Sequence, residues 1–157
     1  MRLSPNFTLA QFIRSETATR LGLSNRPGTK HIANLRRLAT TLEQVRGLLG
    51  HRLVISSGFR APALNAAVGG APSSRHALGL AVDFTCPRHG SALDASRAIV
   101  GSRIEFDLLI YEYGRWVHLQ LSPHGVEPRR HVLTICNAKD GYKDGLLECR
   151  QDGGAGT

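Results

Sequence analysis

From Lys30 to Gly50, apolar residues return every three or four positions: Ile32, Leu35, Leu38, Leu42, Val45 and Leu49. That period lays one apolar stripe along an α-helix, and Gly50 supplies the stop. Upstream, "NFTLAQF" is a helix start in which Thr8 caps, Gln11 completes a capping box, and Phe7 and Phe12 form a hydrophobic staple. The helix it opens is expected to run to "RLGLSNRPG", where Gly and Pro punctuate. Downstream the pattern shortens. "RLVISSGFR", "LGLAVDFTC", "EFDLLIYE", "RWVHLQLS" and "RRHVLTICN" read as strands. Between them, "PALNAAV" is a short helix or turn, "GGAPSS" a loop, and "SALDASRAIVG" a helix capped by Ser91. Tyr113 and Gly114 make the flanking strands a β-hairpin. With no internal repeat and no linker, the pattern predicts one α+β domain over residues 1–145, a small antiparallel sheet with flanking helices, and a frayed tail over 146–157.

Composition narrows the class. A chain of 157 residues that is 41% hydrophobic can build one real core. No apolar run approaches the roughly 18 residues of a membrane span, so no membrane insertion is expected. The N-terminus has no apolar stretch of signal-peptide type, which predicts synthesis in the cytoplasm. Three cysteines at wide spacings, Cys86, Cys136 and Cys149, argue against a disulfide framework. A net charge of +8 suits a polyanionic partner, whether nucleic acid, an anionic membrane face or an acidic wall polymer. Basic residues never run beyond a pair and do not alternate with aromatics, which disfavours nucleic acid.

The candidate chemistry sits in "SSRHALGLAVDF". His76 precedes Asp83 by seven residues, and what lies between is small or apolar, with Gly79 where the backbone turns or closely approaches a neighbour. A zinc site needs about three converging protein ligands. The best third candidate is His118, a polar residue on the otherwise apolar strand "RWVHLQL". Taken singly, each has a plainer explanation: a hydrogen-bonded core histidine, or an Asp that caps a strand end.

The motif Ser74-x-His76-x-x-Gly79-x-Ala81-x-Asp83, with Trp116-Val117-His118 downstream, resembles the signature of the zinc D-Ala-D-Ala metallopeptidases. That family includes D-alanyl-D-alanine carboxypeptidases and phage endolysins that cut L-Ala-D-Glu bonds, with the hedgehog domain as a structural cousin. "SSGFRAPALN", containing Arg60 and Asn65, is similar to the segment upstream of the motif, and the likeness extends over nearly the whole chain. The resemblance implies a hedgehog/DD-peptidase-like fold. It implies one catalytic Zn2+ held by His76, Asp83 and His118 with a water in the fourth place. It also gives Arg60 a role on a developing oxyanion or a substrate carboxylate, and Ser74 a role in binding substrate or fixing the loop of His76. Trp116 is either core or a wall of the substrate groove.

The sequence departs from better-known members at the general base. They carry an acid three residues before the last histidine, where this chain has Arg115, which cannot accept a proton. The nearest acid is Glu112. A three-residue loop at 113–115 sets Glu112 opposite Trp116 and diagonal to His118, whereas a two-residue loop turns it away. Glu112 is the expected base and Asp107 the reserve. Cys86 and His89 have zinc-ligand spacing but lack two further ligands, and His124 and His131 flank a basic turn as solvated residues or cleft rim.

The expectation is a monomeric zinc peptidase hydrolysing peptidoglycan stem peptides, of D-Ala-D-Ala carboxypeptidase or L-Ala-D-Glu endopeptidase type. A phage or prophage origin, with release at lysis or carriage in a virion, would bring it to the wall. The alternative is an inactive zinc-containing wall-binding or phage structural module.

Overall fold

The structure, a computed structural model, describes residues 1–150. A small ribbon of β1 (Arg2–Ser4) and β2 (Phe7–Thr8) leads into α1 (Leu9–Ile13), α2 (Glu16–Leu21) and α3 (Thr29–Leu49). Then come β3 (Val54–Ser57), α4 (Pro62–Ala67), a 3-10 turn at Arg75–Leu78 and β4 (Ala81–Thr85). The chain continues through α5 (Ala92–Val100), β5 (Leu108–Glu112), β6 (Trp116–Gln120), β7 (His131–Ile135) and β8 (Tyr142–Asp144).

The helix start at Thr8 forms as its residues dictate. Gln11 Oε1 accepts the Thr8 N–H at 2.8 Å, and the Phe7 and Phe12 rings meet with centroids 6.1 Å apart. The single helix expected from there to the "RLGLSNRPG" stretch is instead two. The closing carbonyls of α1 are taken by distant partners, Phe12 O by the Phe59 N–H at 2.7 Å and Ile13 O by Asn25 Nδ2 at 2.9 Å. Ser15 then caps α2, its Oγ accepting the Ala18 N–H at 3.1 Å. α3 buries the stripe read from the sequence, with Leu35, Leu38, Leu42, Val45 and Leu49 out of solvent. Each such leucine contributes roughly 1.5–3 kcal/mol of burial.

The main sheet has six strands in the order β3-β4-β6-β5-β7-β8. It is mixed and larger than the small antiparallel sheet expected, because β7 pairs parallel to β5. After β6 the chain swings round through residues 121–130 and enters beside the start of β5. There the Arg130 N–H donates to Phe106 O and the His131 N–H to Asp107 O, both at 3.0 Å. Local hairpin signals say nothing about such a return. Alternation along the strands gives the sheet two different faces. Val82, Phe84, Leu109, Tyr111, Val117 and Leu119 join the α3 and α5 side of the core. Asp83, Ile110, Glu112, Trp116, His118 and Gln120 line a cleft on the other.

The cysteines overturn the expectation of no disulfide. Cys136, just after β7, is bonded to Cys149 with Cα atoms 5.2 Å apart, while Cys86 stays a buried free thiol. An odd count hides a pair and a singlet equally well. The bridge also changes the expected tail. Residues 146–149 are tied down, with the Leu147 N–H donating to Thr134 Oγ1 at 3.1 Å, and residues 151–157 of the expected tail lie outside the described residues.

Candidate metal centre

Asp83 and His118 are direct cross-strand partners on β4 and β6, so the sheet itself sets one edge of the site. His76 arrives from the 3-10 turn. Ser74 caps that turn, its Oγ accepting the His76 N–H at 3.3 Å, and Gly79 ends it with φ +74°. A Cβ at Gly79 would also stand 2.9 Å from His31 O on α3, so position 79 needs glycine for both its turn and its close approach. His76 O in turn accepts the Arg60 N–H at 3.1 Å, which joins the Arg60 segment to the histidine turn.

The three side chains converge. His76 Nε2 lies 3.4 Å from Asp83 Oδ2, and His118 Nδ1 lies 2.8 Å from Asp83 Oδ1. Tetrahedral zinc ligands at the usual bond lengths stand roughly 3.3–3.6 Å apart, so the set needs only a slight opening to take such an ion. The outer hydrogen bonds fit a metal as well. His76 Nδ1 donates to Gly58 O at 2.7 Å, and His118 Nε2 donates to Gln120 Oε1 at 3.1 Å. Each imidazole is thereby oriented with its other nitrogen facing the centre, the arrangement metal-binding histidines require. Among the described residues this is the one cluster of three or more His, Cys, Asp or Glu able to hold an ion.

Burial alone would raise the Asp83 carboxyl. The hydrogen bonds and charges of His118 and His76 outweigh it and hold the group well below the usual carboxylate range. Burial opposes a charge on His118, yet its contact with Asp83 raises it above the ordinary imidazole value. A proton bridges His118 Nδ1 and Asp83 Oδ1 at 2.8 Å, and a divalent cation held there would compete with it.

The hairpin loop is the three-residue one, with Glu112 paired to Trp116. Glu112 accordingly sits on the cleft face, with Oε1 3.9 Å from His118 Nδ1. Its Oε2 accepts the indole N–H of Trp116 at 3.1 Å. Burial raises the Glu112 carboxyl above its ordinary value, assisted by the Asp83 charge and only partly offset by His118, the Trp116 hydrogen bond and Arg60. Arg60 lines the same cleft, with Nη2 donating to Ser74 Oγ at 3.5 Å and Nε buried without a partner. Burial lowers its guanidinium, offset in part by Asp83 and Glu112.

Asp107 is placed elsewhere and cannot serve as the reserve base. It has the opposite strand parity to Glu112, lines a separate cavity with Arg37 of α3, and forms a two-pronged pair with Arg129 at 3.0 and 2.9 Å. Arg115 is exposed, and neither His124 nor His131 lines the cleft. Cys86 and His89 turn to backbone carbonyls of residues 49–52.

Several contributors escaped the sequence reading. Gln120 sits two residues beyond His118, and strand alternation puts both on one face, so that signal was present. Asn25 had none: it donates to Ile13 O and Phe59 O at 2.9 Å and accepts the Ala61 N–H at 2.7 Å, clamping the turn that carries Arg60. Asn65, seen in the sequence as part of a motif, holds the loop before Ser74 through Ala71 O at 2.8 Å.

The family model for peptidase M15 matches residues 5–120, a stretch that contains His76, Asp83, Glu112 and His118. The chain belongs to this family. Peptidase M15 members are zinc metallopeptidases of the D-Ala-D-Ala type, and within the matched stretch His76, Asp83 and His118 form a cluster that could hold a metal ion. The M15 match ends with β6, leaving β7, β8 and the disulfide beyond it. No curated protein matches the chain.

Proposed function

We propose that this M15 protein is a zinc-dependent peptidoglycan hydrolase that cuts a peptide bond in the stem peptides of the cell wall. The observation that carries the reading is Glu112, a partly buried carboxylate with Oε1 3.9 Å from Nδ1 of His118 in the His76, Asp83 and His118 cluster. A carboxylate that stands beside the ligand cluster without belonging to it is placed to accept a proton.

His76, Asp83 and His118 would hold a zinc ion, which would supply Lewis acidity to activate a water and polarise the scissile carbonyl. Glu112 takes the proton of the attacking water and returns it to the leaving amine, a task suited to a carboxyl whose burial moves it towards neutral pH. The Trp116 indole fixes its outer oxygen, leaving Oε1 to face the reaction. Arg60, with an uncommitted Nε, meets the developing oxyanion or the substrate carboxylate. Ser74 keeps both Arg60 and the His76 turn in place. The net charge of +8 suits an anionic wall polymer.

The test is mass spectrometry of stem peptides incubated with the zinc-loaded protein, with a chelator, and with His76→Ala and Glu112→Gln. New fragments that vanish in all three controls are expected, and their masses separate D-Ala-D-Ala from L-Ala-D-Glu cleavage. Glu112→Gln should lower kcat by about 10²–10⁴-fold with zinc content intact. An unaltered peptide profile from zinc-loaded wild type would sink the proposal and leave a binding module.

A further inference from the structure

The chain has nine aromatic residues, and the core takes six of them: all five phenylalanines and Tyr111. The other three are Tyr113, Trp116 and Tyr142; Trp116 and Tyr142 line one end of the cleft, and Tyr113 packs against Trp116. The Tyr113 and Trp116 rings lie 5.5 Å apart, centroid to centroid. Tyr142, 60% exposed, lines the cleft with Trp116 and Glu112. Arg60 and Ser74 come from the loops beyond β3, across the ligand cluster from Tyr142 on β8. The cleft, of about 400 Å³, thus has a cationic polar end and an aromatic end.

Tyr142 is brought there deliberately by the strands beyond the M15 match. Glu112 pairs with Trp116 on one side and with Ile135 of β7 on the other, and Ile135 pairs with Tyr142 of β8. These four residues form one row across the sheet. The strap that carries Tyr142 is fastened twice. Buried Thr134 donates to Gly145 O at 2.8 Å and accepts from the Leu147 N–H, and the Cys136–Cys149 bridge closes the segment. A tyrosine that exposed, on a segment that firmly held, is an adhesive surface at low conformational cost.

We infer that Tyr142 is a substrate-positioning residue: with Trp116, whose ring is backed by Tyr113, it forms an aromatic wall for the part of the substrate lying beyond Glu112. The inference rests on the proposed peptidoglycan reading. The wall takes a C–H face, which in that substrate comes either from a sugar ring of the glycan or from an apolar side chain of the stem peptide.

The test uses zinc-loaded protein, one stem peptide carrying N-acetylmuramic acid, and the same peptide without the sugar. Steady-state kinetics are run on wild type, Tyr142→Ala and Tyr142→Phe, and calorimetric binding is measured for each in a Glu112→Gln background. Tyr142→Ala should raise KM and Kd about 3- to 10-fold with kcat and zinc content unchanged, the signature of lost ground-state binding. Tyr142→Phe, which keeps the ring, should restore both. A loss confined to the sugar-bearing peptide identifies the glycan; a loss on both identifies the side chain. Unchanged KM and Kd for Tyr142→Ala, with wild type active, would overturn the wall and leave the peptidase standing. Tyr142-dependent binding without any cleavage would do the reverse, and wild type that binds neither peptide would remove both. A Tyr142→Phe as impaired as Tyr142→Ala would also overturn it, since the hydroxyl and not the ring would then matter.

Discussion

Replacing Cys136 and Cys149 together by serine removes a bridge between residues 13 apart in sequence. The native strap has other fastenings: the pairing of β7 with β8, the two hydrogen bonds of Thr134, and the Gly145 N–H donating to Val132 O at 2.9 Å. The folded state should therefore survive the change, and the cost should fall on the unfolded chain, which gains freedom. For a closed loop of about 14 residues the chain-entropy relation gives about 3 kcal/mol. An unfolding entropy of about 2.1 cal/mol/K per residue amounts to about 0.33 kcal/mol/K for this length, so the midpoint should fall by about 9 °C. The assay is thermal unfolding of oxidised wild type, reduced wild type and the double variant. Both of the unbridged forms should melt together, and the variant should ignore reductant because Cys86 is unpaired. A double variant melting within about 2 °C of oxidised wild type would refute the reasoning. So would an unchanged midpoint with lost amide protection confined to residues 136–150, since the bridge would then act only on the strap.

Gln120→Ala leaves the His118 Nε2–H without its acceptor at 3.1 Å, and should weaken zinc affinity about 10- to 100-fold in a competitive chelator titration, with the fold unchanged by circular dichroism. Gly79→Ala puts a side chain at φ +74° and 2.9 Å from His31 O; urea denaturation should show a loss of about 2 kcal/mol or more, and a loss under about 0.5 kcal/mol would contradict the packing described. Asp107 is held below its ordinary value by the hydrogen bonds of Arg129, against the effect of burial. Its contribution is complete above the unfolded carboxyl value of about 3.9 and is lost as pH falls through the lower folded value, so Asp107→Asn should flatten the acid limb of the stability curve below about pH 4.

What could be read without coordinates was whatever local periodicity or spacing encodes. The α3 stripe, the capping box at Thr8 and the alternation that puts Glu112 beside His118 are all set by residues within a few positions of one another. Loop length was the single open bit for Glu112, and three residues closed it. The misses share a different cause. The break between α1 and α2 follows from carbonyls claimed by Phe59 and Asn25, and the parallel entry of β7 follows from a ten-residue return past β5. The Cys136–Cys149 pair and the recruitment of Tyr142 depend on that same return. None of these has a pattern of its own in the chain, because each is decided by what the rest of the fold brings alongside.

The hydrogen bond from Trp116 to Glu112 has an optical consequence. Trp116 is the sole tryptophan, so at the red edge of protein absorption the emission of the whole molecule comes from one indole. That indole spends its only donor, at 3.1 Å, on the carboxylate proposed to move the proton. Its emission should shift when Glu112 changes charge or when a ligand displaces water from the ring. The protein thus carries a built-in reporter that needs no label, seated where its chemistry is proposed to occur.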